Sequence, residues 1–215
     1  MHNTIIFDLD GTLVDTSKGI FATANYTMRE LGYEELSDAQ LRKFVGPPLA
    51  VCFRVACGLD EELILPACDI YRKEYAKGNM YLGEVYPGIV DLLTTLKTRN
   101  ISLGVATLKH EDVAIEILKN KGLFNYFDTI RGSSTELLLS KADIIELALE
   151  DLHIEDTSKV IMVGDTPHDL DGALSVGVDF VAVDWGFGFQ KGHILEIAPR
   201  VLGTIDKEEQ LLRYL

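Results

Sequence analysis

Ile5-Ile6-Phe7-Asp8-Leu9-Asp10-Gly11-Thr12 decides how this chain is read, because an apolar run leads straight into two carboxylates one residue apart. Side chains alternate along an extended chain, so Asp8 and Asp10 point to the same side at the end of a buried strand. Like charges that close raise one another's pKa or recruit a cation. Gly11 then lets the backbone turn sharply and approach a ligand. A solvated Asp-Gly turn closing a strand is the other reading of these residues in isolation.

Three more apolar runs end in polar residues: 101–106 at Thr107, 160–164 at Asp165, and 180–183 at Asp184. Between them lie amphipathic helix patterns over 88–98, 111–121, 141–151 and 167–176, the second and fourth closed by Gly122 and Gly177. Alternating strands and helices predict an α/β fold, a doubly wound parallel sheet with helices on both faces and right-handed crossovers. Ligands of such sheets bind beyond the carboxyl ends of the strands, where these polar residues gather.

The stretch 16–83 breaks the alternation. Ile20, Phe21, Ala24, Met28 and Leu31 share one helical face that Gly32 terminates, and Ser37-Asp38-Ala39-Gln40 is a capping box. Gly46-Pro47-Pro48 interrupts before helical patterning resumes over 51–57 and 62–77. The expected organisation is a catalytic core of residues 1–15 and 84–215, with a helical domain of residues 16–83 inserted after the first strand.

Composition narrows the function classes. The 34 acidic and 20 basic side chains of this 215-residue chain leave a net charge of -14, a field that repels nucleic acid and anionic membrane surfaces. Small anionic substrates remain open, because a bound cation inverts the field inside one cleft. No apolar run approaches a membrane span, and the first strand pattern starts too close to Met1 to leave room for a signal peptide. Cys52, Cys57 and Cys68 lack a C-x-x-C pairing and read as reduced thiols, so a cytoplasmic location is expected.

Asp165-Thr166-Pro167-His168-Asp169 sets a second pair of carboxylates at a strand-to-helix turn. Thr166 as N-cap, Pro167 in the first turn and Asp169 as capping-box partner account for Asp169 without chemistry, but no capping rule requires Asp165. Ser140-Lys141-Ala142-Asp143 is another capping box, with Lys141 in a first turn where a cation is disfavoured by about 0.3–1 kcal/mol unless an anion compensates. An exposed Lys141 reaching water is the alternative.

Together, Asp8-x-Asp10-Gly11-Thr12-Leu13-Val14-Asp15, Thr107, Lys141 and Gly164-Asp165-x-x-x-Asp169 have the order of the four motifs of the haloacid dehalogenase-like hydrolases, which the chain resembles throughout. An inserted helical cap resembles the branch of phosphoglycolate phosphatases, 5′-nucleotidases and β-phosphoglucomutase. Phe44-Val45-Gly46-Pro47-Pro48-Leu49 and Trp185-Gly186-Phe187-Gly188 are similar to the phosphatase and nucleotidase members.

The resemblance implies a Mg²⁺-dependent phosphatase acting on a small phosphorylated metabolite. Asp8 would be the nucleophile and Asp10 the general acid and then base. The metal would take the carboxylates of Asp8 and Asp165 and the backbone carbonyl of Asp10, while Asp169 holds a metal-bound water or orients Lys141. Thr107, Lys141 and backbone N–H groups after Asp8 and Thr107, including that of Leu108, would grip the phosphoryl oxygens. Arg54 and the Gly46-Pro47 loop are the expected substrate contacts of the cap, ahead of Tyr75, Arg72 and Lys43.

Two positions depart from the family. His110 stands where relatives often carry proline, and Leu137-Leu138-Leu139 precedes Lys141 where nucleotidase-like members carry a Gly-Thr-Arg element. The alternatives are a 5′-nucleotidase, a phosphomutase resembling β-phosphoglucomutase, and, from another class, a receiver-like phospho-accepting binding domain.

Overall fold

The structure is a computed structural model that describes residues 2–134, 139–189, 192, 195 and 199–215; Leu137 and Leu138 of the departure before Lys141 lie outside the described residues. In chain order the elements are β1 (Thr4–Phe7), β2 (Val14–Asp15), α1 (Ser17–Glu30), α2 (Asp38–Leu41), α3 (Leu49–Val55), α4 (Glu61–Ala76), β3 (Glu84–Val85), α5 (Ile89–Thr98), β4 (Ser102–His110) and α6 (Glu111–Asn120). β5 (Thr129–Ser133), α7 (Lys141–Asp151), β6 (Val160–Gly164), α8 (Pro167–Ser175), β7 (Asp179–Val183) and β8 (Val201–Ile205) complete them.

Six strands form a sheet in the order β5-β4-β1-β6-β7-β8, with every neighbouring pair parallel. The chain moves from central β1 to β4 on one side and later to β6 on the other. This strand-order reversal opens a crevice at the carboxyl end of β1, the point from which Asp8 emerges.

Strand side chains alternate between two apolar clusters, as a pleat with both faces covered requires. Ile5, Phe7, Leu103, Val105, Ile161 and Val163 pack with Leu93 and Leu96 of α5 and Ile117 of α6. Ile6, Met162 and Phe180 pack with Ile144, Ile145 and Ala148 of α7 and Ala173 of α8.

The helical segment leaves and rejoins the core at one place, where β2 and β3 pair antiparallel through Val14↔Val85 and Asp15↔Glu84. Inside it, fully buried Phe53 meets the rings of Phe44 and Tyr71 edge to face. Three features extend the sequence reading. β4 runs three residues past Thr107 with a register shift there, and β5 and β8 form the sheet edges. Those edge strands carry glycine and polar residues in place of a continuous apolar run. Cys52, Cys57 and Cys68 are free thiols. Among the described residues no helix is long and apolar enough to cross a membrane.

Candidate active site

Lys141 is the hub of a buried cluster at the carboxyl end of the sheet. Its Nζ lies 2.5 Å from Asp8 Oδ1 and 2.6 Å from Asp169 Oδ1. The capping box aims it there: Ser140 Oγ accepts from the Asp143 amide at 3.2 Å and the Asp143 carboxylate accepts from the Ser140 amide at 2.7 Å, so α7 begins with Lys141 turned inward. Its stem runs against Gly172 of α8, where a Cβ would come within 2.8 Å of Lys141 Cγ. Burial disfavours the ammonium, but Asp169 and Asp8 outweigh it and raise its pKa above the ordinary lysine value.

Asp169 satisfies both readings of its position. Oδ2 accepts from the Thr166 amide at 2.9 Å and the Thr166 hydroxyl at 2.7 Å, closing the capping box of α8, while Oδ1 holds Lys141. Asp165 is fully buried between two supports. The amides of Phe187 and Gly188 donate to its Oδ2 at 2.7 and 3.3 Å, and the Thr12 hydroxyl donates to Oδ1 at 3.4 Å. Gly11, at φ 84°, passes so close that a Cβ would overlap the Asp165 carboxylate, which makes glycine obligatory there.

Asp8, Asp165 and Asp169, all buried, offer oxygens that lie within 4.8 Å of one another. Burial, opposed by Lys141 and reinforced by Asp169, Asp165 and Asp10, pushes the Asp8 carboxyl up to about 8. Burial and then Asp169 push Asp165 up to about 7. Three acids around one ammonium leave excess negative charge, and an all-oxygen donor set of this kind fits a hard divalent cation.

Asp10 sits apart from that triad. Its Oδ1 accepts from the Thr16 hydroxyl at 2.5 Å and its Oδ2 is 3.0 Å from Lys109 Nζ. Two carboxylates separated by one residue thus face different surroundings, Asp8 the acidic triad and Asp10 a hydroxyl and an ammonium. Thr107, 1% exposed at the end of the regular β4 register, accepts from the Lys109 amide at 3.2 Å.

A cavity of about 260 Å³ between core and helical segment opens beside Asp10 and is lined by Gly46, Tyr71, Tyr75, Leu108 and Lys109. Arg72 and His110 also border it, whereas Lys43 lines a separate cavity of about 340 Å³. Arg54, an expected cap contact, sits apart from both cavities. It is exposed, its guanidinium held by Glu61 at 2.6 and 3.0 Å on the same surface. Arg54 is the only charged residue of α3, and no local spacing signals its pairing with Glu61 at the start of α4.

Sequence reasoning passed over Lys109, although the Thr107-x-Lys109 spacing carries it, and over Thr16, which has no motif of its own. The Trp185–Gly188 stretch stood out only by similarity; its amides hold Asp165 and Trp185 Nε1 donates to the Thr12 carbonyl at 3.2 Å.

The family described as haloacid dehalogenase-like hydrolase matches residues 5–183. The chain is 37% identical over 185 residues to the tyrosine-protein kinase PtkA of Mycobacterium tuberculosis, covering 86% of this chain and 62% of that protein. It thus spans less than two thirds of that relative's length. It is 35% identical over 187 residues to a 5′-nucleotidase of Pseudomonas aeruginosa, covering 87% and 85% of the two chains. Among solved structures, the haloacid dehalogenase-like family protein SP0104 from Streptococcus pneumoniae superposes with a TM-score of 0.86 at 34% identity, covering 99% of this chain and 98% of that one. With its motifs gathered at one strand-order reversal and its sequence matched over both core and helical segment, the chain belongs to the haloacid dehalogenase-like hydrolases.

Proposed function

We propose that the protein is a Mg²⁺-dependent phosphatase that hydrolyses a small phosphomonoester through an aspartyl phosphate on Asp8, with residues 16–83 forming a cap over a core of residues 1–15 and 84–215. The observation that carries this reading is the division between the two neighbouring acids: Asp8 lies against Lys141 and the acidic triad, and Asp10 against Thr16 and Lys109. Asp8 thus faces the acidic triad, while Asp10 borders the cavity between core and helical segment, where a leaving group would sit.

Asp8, Asp165 and the backbone carbonyl of Asp10 would hold the metal, with Asp169 orienting Lys141. Bound there, Mg²⁺ supplies positive charge that keeps Asp8 ionised and offsets the phosphoryl charge. Asp8 attacks phosphorus in line and the ester bond to the leaving oxygen breaks. Asp10 gives that oxygen its proton, then takes one from the water that releases phosphate. Lys141, Thr107 and the Leu108 amide stabilise the equatorial oxygens, where positioning supplies most of the rate. A receiver-like role gives no use to an acid two residues beyond the acceptor. The free thiols fit a cytoplasmic setting.

Phosphate release from a panel of phosphomonoesters, with and without Mg²⁺, tests the reading. Metal-dependent release that Asp8→Asn abolishes while the fold is retained is the expected result. Undiminished turnover in Asp8→Asn, with deamidation excluded by mass, overturns the assignment.

A further inference from the structure

The cavity of about 340 Å³ has no part in the chemistry above, for none of Asp8, Asp10, Asp165 and Asp169 lines it. Val51 and Val55 of α3 form one side, and Pro167 and Phe187 of the core the other. Pro47 borders both this cavity and the one beside Asp10. Next to it, Gly46 approaches the core so closely that a Cβ would lie 3.0 Å from Thr166 Cγ2, and the loop parts the two spaces.

Two features of the lining point to a ligand. Val51 and Val55, one helical turn apart, are 39% and 64% exposed, so α3 turns an uncovered apolar stripe into the cavity. The charge around that stripe is of one sign. Arg42, Lys43 and the imidazole of His168 line the cavity, and among the described residues no acid does, in a chain with 34 acids against 20 bases. Neither the Arg42 guanidinium nor the Lys43 ammonium has an ion-pair or hydrogen-bond partner among the described residues. Other surface cations of this chain are neutralised, as Arg54 is by Glu61, Lys97 by Asp128 and Arg131 by Asp151. Two cations left unpaired beside apolar walls complement a molecule with an anionic end and an apolar body. The planar fork of Arg42 matches a carboxylate in two hydrogen bonds. Size sets the body: 340 Å³ corresponds to roughly eleven waters, and an eight-carbon acid of about ten non-hydrogen atoms fits within it.

Independently of the phosphatase reading, we propose that this cavity binds a small organic acid, its apolar body on Val51, Val55 and Phe187 and its carboxylate against Arg42 and Lys43. The occupant bridges the helical segment and the core. It also touches the Phe187–Gly188 stretch, whose amides hold Asp165.

Calorimetric titration of the full chain with octanoate tests the site without any turnover. The expected result is saturable binding of one octanoate per chain, with octanamide, which has the chain without the charge, and acetate, which has the charge without the chain, each at least about tenfold weaker. Val55→Asp, and Arg42→Gln combined with Lys43→Gln, should each weaken octanoate about tenfold, with circular dichroism unchanged because all three positions are exposed. Saturating Mg²⁺ and inorganic phosphate should leave octanoate binding unaltered. Absence of binding at millimolar octanoate, equal binding of octanamide, or affinity unmoved by these substitutions overturns the inference. Competition by Mg²⁺ and phosphate seats the acid in the catalytic cavity and overturns it too. Sedimentation velocity covers the other occupant: a wild-type dimer that Val55→Asp dissociates means that a second copy fills the cavity, and the inference falls.

Discussion

Lys141 shows how one side chain ties stability to chemistry. It is the ammonium in contact with both Asp8 and Asp169, and all three are buried. Removing one partner of a buried ion pair is costly because the other charges stay behind. Lys141→Met is therefore expected to destabilise metal-free protein by about 3–5 kcal/mol in urea melts. With Mg²⁺ restoring part of that stability, kcat should fall about 10²–10³-fold, as for loss of one transition-state donor. Normal turnover in folded Lys141→Met would remove Lys141 from the phosphoryl site. The acids around it set a pH signature. Asp8 moves from an unfolded value of 3.8 to about 8 and Asp165 from 3.8 to about 7, so between those limits the folded state holds more protons than the unfolded one. Stability from these groups is then highest at low pH and declines as pH rises toward 8. Thermal melts in EDTA should show Tm dropping between about pH 4 and 8, and the gain on adding Mg²⁺ growing over the same range as the metal displaces protons. A Mg²⁺ gain independent of pH would contradict the carboxylate triad as its site.

At the level of elements, the start of α8 joins a structural motif to a functional one. Thr166 caps the helix while binding the same carboxylate that orients Lys141. Thr166→Ala should cost about 1 kcal/mol of stability, the usual loss for an N-cap. It should also weaken Mg²⁺ binding about tenfold by freeing Asp169, a change that a purely structural cap would not produce. Isothermal titration separates the two. The same dual use explains what was legible in the sequence. Helices α5, α6, α7 and α8 begin and end within a residue of their sequence patterns, because caps, a helix-start proline and closing glycines are local signals. The central strands β1, β6 and β7 announce themselves as apolar runs bounded by acids. β5 and β8 carry Arg131, Gly132, Gly203 and Thr204, and become strands only by pairing with neighbours distant in the chain. Asp8, Thr107, Lys141, Asp165 and Asp169 were readable because strand ends and helix starts place them. Lys109 against Asp10, the amides of Phe187 and Gly188 on Asp165, and the pairing of Arg54 with Glu61 depend on tertiary packing that no local spacing encodes.

Across the whole molecule, the helical segment and the sheet share one apolar cluster. Phe53, Tyr71 and Ile20 belong to the same cluster as Phe7, Leu103 and Ile161. The two strands that link the segment to the core pair with each other, and Lys121 of the core donates to the Tyr81 carbonyl at 2.8 Å. A shared cluster of this kind predicts that both parts unfold in one cooperative transition. The single tryptophan, Trp185, reports the core through its packing on Tyr86 and its bond to the Thr12 carbonyl. Far-ultraviolet circular dichroism weighs the helices of both parts. In urea the two signals should share one midpoint in wild type. Phe53→Ala, a truncation in the segment costing about 3–5 kcal/mol, should move both midpoints down together. If the dichroism falls first while Trp185 fluorescence keeps its wild-type midpoint, the segment folds as a separate unit. The shared cluster then adds little coupling, and the cap can open without loosening the sheet that carries Asp8.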